Sequence, residues 1–160
     1  MRLSLLVVLL LAGAAVLFWA LPPAPLPPEN TAPAKAVAGR FAVQDGGKTV
    51  LDRLTGLHWQ QGFSGSTMDW AAAKLWCSNN TAALPGSGWR LPTVRELDTI
   101  VDRQTQQPAI DPVLSANTPS EYFWTSTPWV GGGSAWSVYF NFGYSFFHDT
   151  SSSFRARCVR

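Results

Sequence analysis

Residues 39–160 predict an α+β domain, with two helices packed on short, mostly antiparallel strands and a cross-link from the first helix to the last strand. Three observations carry this. Apolar residues recur at helical spacing in two stretches between residues 68 and 103. Short aromatic runs, separated by turn residues, fill the chain from Tyr122 onward. The two cysteines of the chain, Cys77 and Cys158, fall in the first helix and in the last strand. A chain of 160 residues has room for one domain of ordinary size.

The elements follow in order. Lys48–Asp52 and Leu57–Gln60 flank Arg53-Leu54-Thr55-Gly56, which predicts a β-hairpin. Gly56 supplies a positive φ, and Asp52 braces the turn by accepting backbone N–H bonds rather than acting as a catalytic carboxylate. A helix is expected over Met68–Asn79, capped by Ser66 or Thr67. In it Trp70, Ala73 and Cys77 share a face, so Cys77 points into the core. Thr93 and Glu96 have capping-box spacing and open a second helix. Val94, Leu97 and Val101 give it an apolar stripe, with an end near Asp102 or Arg103. Arg90 is expected in a partly buried ion pair. Residues 104–120 read as a structured loop.

Strands are then expected over Tyr122–Ser126, Trp136–Phe142, Tyr144–His148 and Phe154–Val159, with a turn at Gly131–Ser134. Alternation places Trp136, Val138, Phe140 and Phe142 inward and Ser137, Tyr139 and Asn141 outward.

The N-terminal part has a different character. Leu3–Leu21 is uncharged and almost wholly apolar, and as a helix it rises about 28 Å, close to a hydrocarbon core. Arg2 favours a cytoplasmic N-terminus. The run is longer than a secretory apolar region, and cleavage after Ala20 would place Phe18 at a position that favours small residues. Residues 1–21 are therefore expected to be an uncleaved signal anchor, with a cleaved signal peptide as the alternative. Six prolines between Pro22 and Pro33 make residues 22–38 a semi-rigid Pro/Ala-rich stalk. The domain beyond is placed outside the cytoplasm of a bacterial cell, anchored in the cytoplasmic membrane, or periplasmic or secreted after cleavage. An oxidising compartment favours pairing of Cys77 with Cys158 over two unpaired buried thiols. The closed loop would constrain the unfolded chain by about 4–5 kcal/mol.

From residue 39 onward ten Lys or Arg stand against nine Asp or Glu, which is no electrostatic footprint for nucleic acid. Charged residues make up only 14% of the chain, against eight Trp and nine Phe, so aromatics must serve both the core and part of the surface.

The order of elements resembles the C-type-lectin-like fold, in which a disulfide joins the first helix to the closing strand. A series of motifs sharpens the resemblance: TGLHW at 55–59, WRLPTVREL at 89–97, YFWTST at 122–127, AWSVYF at 135–140 and RARCVR at 155–160, with Trp70 and Cys77 on the helix between the first two. Residues 41–160 look like the Lcl C-terminal domain family, typified by the last domain of a bacterial collagen-like adhesin. The resemblance implies glycosaminoglycan and host-surface binding and trimer formation. Here a Pro/Ala stalk stands where the adhesin has its collagen repeat.

The oxygen-donor signatures of calcium-dependent lectins are missing, since Gln107-Pro108-Ala109 and Trp136-Ser137-Val138 stand in their place. His58 and His148 lack zinc-ligand spacing, and no serine sits in a nucleophile-elbow turn. No metal, no cofactor and no catalytic residue is therefore expected. The leading reading is a binding or adhesion module for a glycan or protein ligand. Its candidate contacts are Trp129, Tyr139, Asn141, Tyr144 and His148. The competing readings are an envelope enzyme with the thiol chemistry of the formylglycine-generating branch of this fold, and a purely structural envelope protein.

Overall fold

The structure, a computed structural model, describes residues 39–115 and 117–160. The expected anchor and stalk, residues 1–38, lie outside the described residues. Among those described, no helix is long and apolar enough to cross a membrane.

The first sheet has the order β1-β2-β3, built from β1 (Phe41–Gln44), β2 (Thr49–Asp52) and β3 (His58–Gln60), all antiparallel. The expected hairpin is β2–β3, and β1 adds a strand in front of it. Gly56 has a φ of +75°. Asp52 accepts from Leu54 N at 3.0 Å and from the Thr55 hydroxyl at 2.8 Å, bracing the turn. It also takes a two-pronged bond from Arg40, at 2.9 and 2.7 Å, which fixes the entry of β1. Burial pushes the Asp52 carboxyl up, but Arg40, Thr55 and Leu54 outweigh it and hold it below its ordinary value.

α1 spans Trp70–Ser78. Its cap is Asp69, which accepts from Ala72 N at 2.8 Å, and not the expected Ser66 or Thr67. The reason is that Met68 exchanges backbone bonds with Phe154 at 2.9 and 3.0 Å, so the chain stays extended through residue 68. α2 spans only Val94–Asp98. Its capping box forms as expected, and Arg90 clasps Glu96 with bonds of 2.8 and 2.6 Å. Arg90 first, and then the Thr93 N–H and hydroxyl, bring the Glu96 carboxyl down to about 2 against the pull of burial. The helix stops short of Asp102 because the next turn tightens: Thr99, Ile100 and Val101 each donate three residues back. Within the expected loop lies one further turn of helix, α3 (Pro112–Ser115).

The second sheet has the order β4-β5-β6, from β4 (Tyr122–Pro128), β5 (Ser134–Tyr139) and β6 (Tyr144–Asp149). Gly143 makes the β5–β6 turn possible. Its φ is +74°, and a Cβ there would lie 2.5 Å from Val101 Cγ1.

Residues 154–160 do not form the expected strand. They run extended, but their backbone bonds go to several segments rather than to one ladder. Phe154 pairs with Met68, Ala156 accepts from Ser64, Val159 pairs with Arg90, and Arg160 pairs with His58. This C-terminal segment therefore stitches the two sheets together. Side chains alternate along it between two cores. Ala156 and Cys158 enter one with Ala73, Cys77, Trp89 and Trp124, while Val159 enters the other with Trp59, Leu97, Phe123, Val138 and Phe140. Cys77 and Cys158 are joined by a disulfide across 81 residues, and no cysteine described is free. Arg157 is fully buried and donates to Gly62 O at 3.0 Å and to the Thr118 hydroxyl at 2.7 Å, pinning the segment after α3. Burial lowers its pKa to about 9.

Candidate functional site

Opposed residues of an antiparallel sheet share a face, so the register of β4–β6 sorts the late aromatics. Tyr122, Tyr139 and Tyr144 form one cross-strand row, and they are all three tyrosines of the chain. Trp124, Ser137 and Phe146 form the next row, and Ala135 with His148 the third. These rows lie on one face. Phe123 and Val138 lie on the other, as do Trp136 and Phe147.

On the first face the Tyr122 ring stacks on Tyr139 with centroids 4.2 Å apart and planes 13° apart. His148 meets Tyr122 edge-on at 4.8 Å, and Phe154 lies 4.9 Å away. Beside this cluster runs a groove of about 330 Å³. Tyr122, Tyr139 and Phe154 give it an aromatic wall, and Thr67, Ser120, Ser153 and Glu121 complete its lining. Glu121 Oε2 accepts from Arg155 Nε at 2.7 Å.

On the second face Trp129 stacks on Phe147 at 4.2 Å, and both meet Trp136 edge-on. The β5–β6 hairpin thus carries exposed aromatic surface on both sides. Phe142, Tyr144, Phe146 and Phe147 are 42, 57, 42 and 49% exposed.

Of the five expected contact residues, Tyr139, Tyr144 and His148 come together on one face. Tyr144 is exposed, while Tyr139 and His148 are half-buried. Asn141 sits in the β5–β6 turn, half-buried, where its carbonyl accepts from Gln107 N at 3.1 Å. Trp129 belongs to the cluster on the opposite face and cannot join the others in one patch.

Three expected placements need correction. Ser137 is fully buried, not outward, because Trp124 and Phe146 flank it and the disulfide core covers the neighbouring Ala135. Phe142 is exposed in the turn, and Trp136 is half-buried against Trp129 and Phe147 rather than in either core.

The sequence reading missed Glu121, Tyr122 and Phe154. Registering the hairpin about its Gly131–Gly133 turn would not have set Tyr122 opposite Tyr139, because the register shifts between Trp124 and Pro128. Phe154 reaches the site through its bridge to Met68, which no local pattern announces.

His148 Nδ1 lies 3.1 Å from the Ser137 hydroxyl. Burial lowers the His148 pKa, so the ring is neutral at neutral pH. The pair is a poor start for acyl transfer, since Ser137 is inaccessible to a substrate. Among the described residues no three His, Cys, Asp or Glu gather as a metal site. What the face offers is aromatic surface, hydroxyls and one carboxylate.

The family model described as the Lcl C-terminal domain matches residues 48–160. Comparison with curated proteins gives no match.

Proposed function

The chain belongs to the Lcl C-terminal domain family, and we propose that its domain is a binding or adhesion module displayed outside the cytoplasm, with no catalytic role and no cofactor. The carrying observation is the aromatic surface of the β5–β6 hairpin, where four rings stay 42–57% exposed. The ligand is a glycan or a protein, met through Tyr122, Tyr139, Tyr144 and Phe146. Nucleic acid is not a partner, because the domain is nearly charge-neutral. The disulfide from α1 to the C-terminal segment, with helices on a small antiparallel sheet, supports a C-type-lectin-like architecture. A thiol-based enzyme would lack its reagent, since both sulfurs are spent on a buried bridge. Leu3–Leu21 would hold the domain to the membrane through the stalk, or be removed to release it.

The test is a glycan array and an immobilised panel of envelope proteins, probed with the full chain in detergent and with its Tyr144→Ala/Phe146→Ala variant. The expected result is a bound class that the variant loses, while melting stays within about 0.5 kcal/mol per exposed site. No binder in either panel, or a variant that binds as the parent does, would refute the reading.

A further inference from the structure

We infer that the groove beside Tyr122 takes one ring of an uncharged oligosaccharide, and that Glu121 is its charged hydrogen-bond acceptor; this rests on the binding-module reading above. Hydrogen-bonding capacity comes first. Tyr122, Tyr139, Thr67, Ser120 and Ser153 all line the groove, and none of their hydroxyls has a hydrogen-bond partner among the described residues. Glu121 uses Oε2 on Arg155 and leaves Oε1 without a partner there. Such a set matches a ligand rich in hydroxyls, each able to donate and to accept.

Charge then narrows the class. No Lys or Arg lines the groove. The adjacent cation, Arg155, is already engaged, with Nε on Glu121 and Nη1 on the carbonyls of Ser64 and Gly65 at 3.2 and 2.7 Å. A sulfate or uronate would therefore sit beside the Glu121 carboxylate with no cation to meet it, and like charges at an interface oppose binding. A neutral sugar instead gives Glu121 a hydroxyl to accept, a charge-assisted bond stronger than a neutral one. Its C–H faces meet the wall of Tyr122, Tyr139 and Phe154, whose aromatic bodies and polar tips suit an amphipathic ring. At about 330 Å³ the groove is at the small end of ligand pockets, so it seats one unit of a longer chain. The glycosaminoglycan implied by the family resemblance carries the opposite requirement, a row of free cations.

The experiment uses the full chain in detergent on length-matched neutral, uronic-acid-containing and sulfated oligosaccharides, with a peptide panel alongside. Neutral sugars are expected to bind, with an affinity unchanged between low and high salt. Glu121→Gln should weaken that binding about tenfold, the worth of one charged hydrogen bond. Tyr122→Phe keeps the stacked ring, and so controls for folding, and should weaken binding by a smaller factor. Salt-sensitive binding of sulfated chains that strengthens in Glu121→Gln would overturn the neutral-ligand inference while leaving the binding module intact. Binding of peptides alone would do the same. No binder of any class would defeat the inference and the binding-module reading together.

Discussion

The two sheets have the same size and the same meander order, yet their third strands meet opposite fates. The outer edge of β3 is taken by the C-terminal segment. His58 and Arg160 exchange backbone bonds at 3.0 Å, Gln60 N donates to Cys158 O at 2.9 Å, and Trp59 bridges Val159. The third strand of the other sheet, β6, has β5 as its ladder partner and carries three exposed aromatics, Tyr144, Phe146 and Phe147. An open edge with apolar side chains is one that stable proteins usually blunt with charge, Pro or a covering element. Among the described residues one edge is covered by a disulfide-held segment and the other has no further strand paired to it. Stability and exposed aromatic surface are thus divided: cross-link, capping box and buried tryptophans concentrate around the C-terminal segment, while the β5–β6 hairpin keeps its rings exposed.

The largest expected effect comes from breaking the covered edge. Cys77→Ser and Cys158→Ser should each destabilise the domain by about 2–5 kcal/mol, and the double variant should match either single one. Hydrogen exchange at the His58 and Gln60 amides should accelerate, while amides of β6 change less. A double variant clearly worse than either single one would mean that the cross-link is not the shared cause.

A smaller effect separates the two regions by pH. Glu96, at the covered end, has its carboxyl lowered to about 2 from an ordinary value of 4.5. Its contribution is fully present above pH 4.5 and is lost as pH falls toward 2, because the unfolded chain binds the proton first. Glu96→Gln should cost about 1 kcal/mol at neutral pH, the usual worth of a cap, and should flatten the acid limb of the melting curve. An unchanged acid limb would place acid sensitivity elsewhere.

The smallest effect is at the open end. His148 has its pKa lowered by burial, so the folded state binds its proton less readily than the unfolded chain does. Its stabilising contribution is present above pH 6.5 and declines as pH falls below that value. Melting temperatures of the parent chain and of His148→Gln should converge between pH 7 and 5 if this histidine is the titrating group, and run parallel if it is not.

Much of the frame was legible because it follows local rules. The β2–β3 hairpin needs a Gly that accepts a positive φ and an Asp that accepts turn N–H bonds, and Gly56 and Asp52 stand where the turn requires them. The Thr93–Glu96 capping box needs only a spacing of three. The family motifs were legible in the same way, and their order identified the domain. Less legible were the boundaries: α1 begins two residues later than expected, and α2 closes early, because in each case a backbone partner elsewhere or a tightened turn took over the bonds.

By itself, then, the sequence determined the α+β order, the cysteine pair, the turns, the Thr93–Glu96 capping box and the alternation that puts Val138 and Phe140 into a core. The tertiary structure alone decided which aromatics stay at the surface. Alternation assigns a side chain to a face but does not say what covers that face. β5 is covered on one side by the disulfide core at Ala135 and on the other by α2 residues at Val138, so Ser137 is buried although its period points it away from Val138. The same register parts Trp129 from Tyr139, and a backbone bridge from Met68 brings Phe154 against Tyr122. Local spacing sets direction, whereas exposure depends on distant segments that pack only once the C-terminal segment has joined the two sheets.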